Sequence, residues 1–121
     1  MGNIFSSNKD FTPSCVCGYK YDNNCAHFLS NWMIKNNYIT EYPNGANKCC
    51  SRGRPIRARE MIDVFKNMGL KMHHNNDVGN CFIYCERNSD HQGHVYYGQK
   101  GKCVAGTGDG SFGADYYQYY Y

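Results

Sequence analysis

Cys25, Phe28, Leu29, Trp32 and Met33 recur at intervals of three and four, the spacing of one helix face. They predict a helix from about Cys25 to Asn36, with Asn23 or Asn24 offering a side-chain oxygen to the open N–H groups at its start. A second stripe, Ala58, Met61, Ile62, Phe65 and Met68, predicts a helix from Pro55 to about Met68. Proline suits a first helical position, and Gly69 supplies the stop. After it the period changes to two. Short strands are predicted at 70–72, 80–86, 94–98 and 102–107, the last two joined by the turn Gln99-Lys100-Gly101-Lys102. The final run, YYQYYY, reads as an edge strand or an aromatic flap. Two helices followed by strands predict an α+β fold, with helices packed on a small antiparallel sheet in one domain over residues 1–121. Residues 1–24 read as an irregular arm carrying Cys15 and Cys17, and residues 41–54 as a turn-rich loop.

Composition changes this picture in one respect. Eight cysteines in 121 residues exceed what a reducing compartment usually tolerates, and twelve tyrosines accompany a shortage of Leu, Ile and Val. That suits a loop-rich domain secreted into an oxidising setting, and a monomer. No run approaches the ~20 apolar residues of a membrane span, and no signal peptide opens the chain. The start MGNIFSS fits the N-myristoylation pattern, but cytosolic lipidation conflicts with the cysteine count, so a mature secreted chain with an added initiator Met is the expectation. A net charge of +3 favours anionic surfaces such as bacterial wall and is too small to argue for nucleic acid.

The candidate chemistry centres on Cys25. A cysteine at a helix N-terminus meets the positive end of the dipole and unpaired N–H groups, which favour its thiolate and could hold an oxyanion. Attack on an amide also needs a base. His27, two positions along the helix, points roughly 200° away. His73 and His74 look like exposed strand-edge residues, and His91 sits in a polar loop. His94 opens a strand behind Gly93, which leaves space in front of it, and a strand packed on the nucleophile helix would aim it at Cys25. The competing reading makes Cys25 one strut among four disulfides. Cys81 and Cys85 share a strand face ~13 Å apart, too far to bond each other. Their partners would come from Cys15, Cys17, Cys49, Cys50 or Cys103.

Other features carry weaker chemistry. Lys48, Arg52, Arg54, Arg57 and Arg59 crowd the start of the second helix, against its dipole. Arg54 and Arg57 are candidates to grip substrate carboxylates, the alternative being a solvated patch paired with Glu60 and Asp63. Tyr96, Tyr97 and the last tyrosines could stack on sugar rings or simply pack. GDGSFG at 108–113 matches a dinucleotide fingerprint but lacks the strand–turn–helix setting. His91 and His94 form HxxH without a paired CxxC, so no metal and no cofactor is expected.

Three segments in order, NNCAHFLSNWMI, SRGRPIRAREM and GHVYYG, resemble the second family of type VI secretion amidase effectors, and more closely its domesticated eukaryotic, tick-like relatives. That family lies in the NlpC-like branch of papain-fold cysteine peptidases. The resemblance spans about residues 20 to 110 and implies a secreted antibacterial amidase that cuts peptidoglycan stem peptides, at the D-Ala–diaminopimelate cross-link. It places the nucleophile on Cys25 and the base on His94. Papain-like sites often orient the base with a third polar residue. A hairpin turning at 99–102 would put Thr107 near His94, with Asp109 just beyond as the third candidate. The alternative to an enzyme is a non-catalytic, disulfide-rich module that binds wall glycan.

Overall fold

The computed structural model describes residues 25–40, 50, 55, 57–107 and 113–121. Helix α1 spans Cys25–Lys35. Its whole run from Cys25 to Met33 is buried, the polar His27, Ser30 and Asn31 included, so it is a core helix rather than a one-faced surface helix. Its end follows from Asn37, which takes the left-handed conformation (φ 65°). There the Tyr38 N–H reaches the Met33 carbonyl and the Asn37 N–H reaches that of Ile34, which together satisfy the last open carbonyls.

Helix α2 spans Glu60–Asn67, five residues later than the proline suggests. Pro55 instead lies in an isolated bridge, and its carbonyl is taken by His27 Nδ1. The helix is started by Glu60. Its carboxylate accepts the Arg57 N–H at 2.8 Å, and tight turns from Arg57, Ala58 and Arg59 lead into the helix. Gly69 (φ 89°) ends it as expected, with the Leu70 N–H on the Phe65 carbonyl.

Among the described residues five strands form one antiparallel sheet: β1 (Met72–His73), β2 (Cys81–Glu86), β3 (Gly93–Gln99), β4 (Lys102–Gly106) and β5 (Tyr116–Tyr120). Their order is β1-β5-β2-β3-β4. The final tyrosine run is therefore neither edge nor flap. It lies between β1 and β2, pairing Phe82 with Tyr120 on one side and Met72 with Tyr120 on the other. The helices cover one face. Phe82, Tyr84, Val95, Ala105 and Tyr120 join Leu29, Trp32, Met33, Met61, Val64 and Phe65 in the main core. Each large side chain buried here stabilises the fold by roughly 1.5–3 kcal/mol. The opposite face carries a second cluster of Cys81, Ile83, Cys85, Tyr96 and Tyr119. All six residues of β2 are buried because both of its faces are covered.

The β3–β4 hairpin turns where predicted, with a bulge between Tyr97 and Gly98. No helix among the described residues is long and apolar enough to cross a membrane.

Candidate functional site

Cys25 is the first residue of α1 and is 2% exposed. Helix α1 packs on β3 and β4. The pairing of β3 with β4 ends at Tyr96 and Gly106, so Val95, one residue further out, has no β4 partner. Its backbone N–H bonds the Cys25 sulfur instead, joined by those of Ala26 and Cys25 itself. The thiol is thus seated beside β3, just past the end of its described pairing with β4, against the residue that follows His94.

Burial decides the acidity of this thiol. Desolvation pushes it up to about 11, and the three N–H groups only partly pull it back. The lowered pKa expected from the helix start is overturned here, since loss of water around a thiolate outweighs a dipole worth at most ~2 kcal/mol. Burial thus favours the neutral thiol over the thiolate. It is also not a disulfide strut: Cys25, Cys81 and Cys85 carry free thiols, and no disulfide joins the described cysteines. Cys15, Cys17 and Cys49 lie outside the described residues.

His94 is buried on β3 directly opposite Cys85. The Cys85 thiol donates to the His94 carbonyl at 3.7 Å, and burial, with a smaller contribution from nearby Cys25, pushes it up to about 12. Two thiols and one imidazole-bearing backbone step therefore share one end of the sheet. Tyr96, a candidate either to stack on sugar or simply to pack, is 1% exposed and packs its ring 5.6 Å from that of His94. In this position it is a wall of the histidine's environment.

Thr107 does not face His94. The bulge at Tyr97/Gly98 adds one residue to β4, so Thr107 falls out of line with His94 and is exposed. Asp109 and Arg54 lie outside the described residues. Arg57 is exposed, with its backbone N–H held by Glu60. The other histidines stay away from the thiol chemistry: His27 is tied to Pro55, His73 stacks on Tyr121 at 3.8 Å, and His74 is exposed. Among the described residues no group of His, Cys, Asp and Glu could hold a metal ion.

One network beside the site escaped the sequence reading. Glu86, 7% exposed, ends β2 opposite Gly93. Its Oε1 accepts Tyr84 Oη at 2.6 Å and Arg59 Nη2 at 2.9 Å, while His91 Nδ1 lies 3.6 Å from Oε2. Hydrogen bonds from Tyr84 first, then from Arg59 and Tyr116, hold the carboxyl down to about 2 against the cost of desolvation. A usable signal was present: alternation puts Glu86 on the same face as Phe82 and Tyr84, where a carboxylate requires a cationic partner.

This network makes an acid-stability prediction. The folded pKa lies below the ordinary 4.5, so the stabilisation is complete above that value and disappears as pH falls towards about 2. Solvent reaches the Arg59 side of the pair, which limits the gain to about 1–2 kcal/mol. Urea titrations of the wild type should lose that much more stability between pH 4.5 and 2 than those of Glu86→Gln. Parallel curves would remove the network from the folding energetics. Compared with protein-family models, curated proteins and solved structures, the chain matches none.

Proposed function

We propose that the chain is a secreted, monomeric cysteine amidase of the NlpC-like papain type, cutting stem peptides of bacterial peptidoglycan. The observation that carries this reading is the placement of the Cys25 sulfur at the start of α1, bonded to the Val95 N–H next to His94. Cys25 attacks the scissile carbonyl carbon, and the C–S bond forms as the carbonyl π electrons move to oxygen. The first N–H groups of α1 stabilise that oxyanion. Because burial disfavours a free thiolate, His94 takes the thiol proton as attack proceeds rather than beforehand. It then protonates the leaving amine as the C–N bond breaks, and water hydrolyses the thioester. Exposed Arg57 is available to bind a stem carboxylate, and Arg54 stands three positions before Arg57 in sequence. No step needs a cofactor.

The burial and neutrality of Cys25 favour a second reading, a non-catalytic module that holds wall through arginines and tyrosines. The two separate on one digest. Purified peptidoglycan incubated with the protein should gain free amines and release uncross-linked stems, identified by mass, with the diaminopimelate amine newly exposed. Wall that retains the protein yet gains no amine would leave the binding module standing.

A further inference from the structure

The space that Gly93 leaves in front of His94 is filled. A Cβ on Gly93 would lie 2.8 Å from Tyr84 Oη and 2.9 Å from its Cε1, so the phenol rests directly on the backbone preceding the histidine. Across the ladder, Tyr84 faces Val95, Cys85 faces His94 and Glu86 faces Gly93. Three consecutive residues of β2 therefore back the three residues of β3 that present the imidazole and the N–H bound by Cys25. The phenol is held at its tip as well. Its Oη donates to Glu86 Oε1 at 2.6 Å, and the same oxygen takes Arg59 Nη2 at 2.9 Å, a charge-assisted pair. Arg59 Nε also reaches Tyr84 Oη at 3.4 Å. Arg59 immediately precedes α2, so the clamp ties that helix to β2, the strand paired with the site-bearing β3.

We propose that Tyr84, locked by Glu86 and Arg59, is a positioning residue that sets the Gly93–Val95 step of β3 against the Cys25 sulfur. This rests on the amidase reading, in which Cys25 and His94 must meet within proton-transfer distance. A planar ring whose hydroxyl end lies against Gly93 and is tethered by Glu86 and Arg59 resists sliding or tilting of β3 at this step. Small displacements of reacting groups are costly, with about 1 Å able to remove two orders of magnitude in rate. Tyr84 touches neither thiol proton nor substrate, and it acts through the strand.

The test uses the full chain with Tyr84→Phe, which keeps the ring and loses the tether. Arg59→Ala serves as a second variant that opens no core cavity, because the Arg59 side chain is 64% exposed. Carbamidomethylation of Cys25 by iodoacetamide is followed by peptide mass over roughly pH 7 to 12, a range that brackets its raised pKa of about 11. Turnover is measured on a soluble cross-linked muropeptide. Tyr84→Phe should displace the alkylation profile and lower kcat about tenfold with KM within about twofold. Arg59→Ala should move both in the same direction by less, and the double variant should be no worse than Tyr84→Phe, as expected of one unit. A folded Tyr84→Phe with the wild-type alkylation profile and kcat, or strictly additive effects, would overturn the proposal. The alkylation needs no substrate. A wild-type protein that fails to cut muropeptide would therefore sink the amidase reading separately, leaving the profile to judge the clamp.

Discussion

Cys25→Ala should lower amine release from purified peptidoglycan by at least about a thousandfold, the scale on which removal of a covalent nucleophile is felt. The fold should survive. The change removes one buried sulfur atom, at a cost of about 1 kcal/mol, and leaves the helix backbone and the Val95 N–H in place. Cys25→Ser is the sharper comparison, because a hydroxyl of similar size ionises far less readily than a thiol and should be nearly as inactive. Cys85→Ala is the control: a second buried thiol at the same end of the sheet, placed opposite His94 but not at the helix start. It should retain most activity. Soluble stems quantified by mass spectrometry decide the matter, and an active Cys25→Ala protein would end the nucleophile assignment.

Gly98→Ala should produce the largest loss of stability among the glycines of the sheet. Gly98 sits at the bulge with φ 154°, and an added Cβ would lie 2.3 Å from the Lys102 carbonyl oxygen and 2.9 Å from the Val104 nitrogen. Both are backbone atoms that cannot step aside without opening the β3–β4 hairpin. We expect a cost of about 2–4 kcal/mol and a Tm lower by about 10 °C or more. Gly101→Ala, in the turn of the same hairpin, isolates the conformational part. Its φ is 77°, but nothing lies within 4 Å of the new Cβ, so only the left-handed penalty of about 1 kcal/mol applies. Thermal melts of the two variants side by side test the difference. Equal Tm values would mean that close approach at the bulge is not what requires glycine.

The fate of individual residues shows where reading along the chain succeeds. The extent of α1 was legible to within a residue because Cys25, Phe28, Leu29, Trp32 and Met33 repeat at helical spacing, while its left-handed stop at Asn37 was not singled out. Gly69 was legible as the stop of α2 because glycine takes the left-handed conformation without penalty. Pro55 misled because its fixed φ suits a helix start, yet Glu60 reaching back to Arg57 supplied a stronger local solution. Arg59 was visible only as one cation in a crowd. Its pairing with Glu86 joins residues 27 positions apart, which no local pattern reports.

The stop of α2 at Gly69, the hairpin turn at Gly101 and the switch from period 3.6 to period 2 all follow from local sterics and from which faces are apolar, so they can be read in the chain unaided. Strand order cannot, because hydrogen-bonding edges look alike in a sequence. The tyrosines of β5 became an inner strand only through their simultaneous pairing with β1 and β2. The state of the Cys25 thiol belongs to the same category. Neighbours within one helical turn argue for a lowered pKa, but water is excluded by groups brought from distant parts of the chain, and desolvation by that packing is the larger effect.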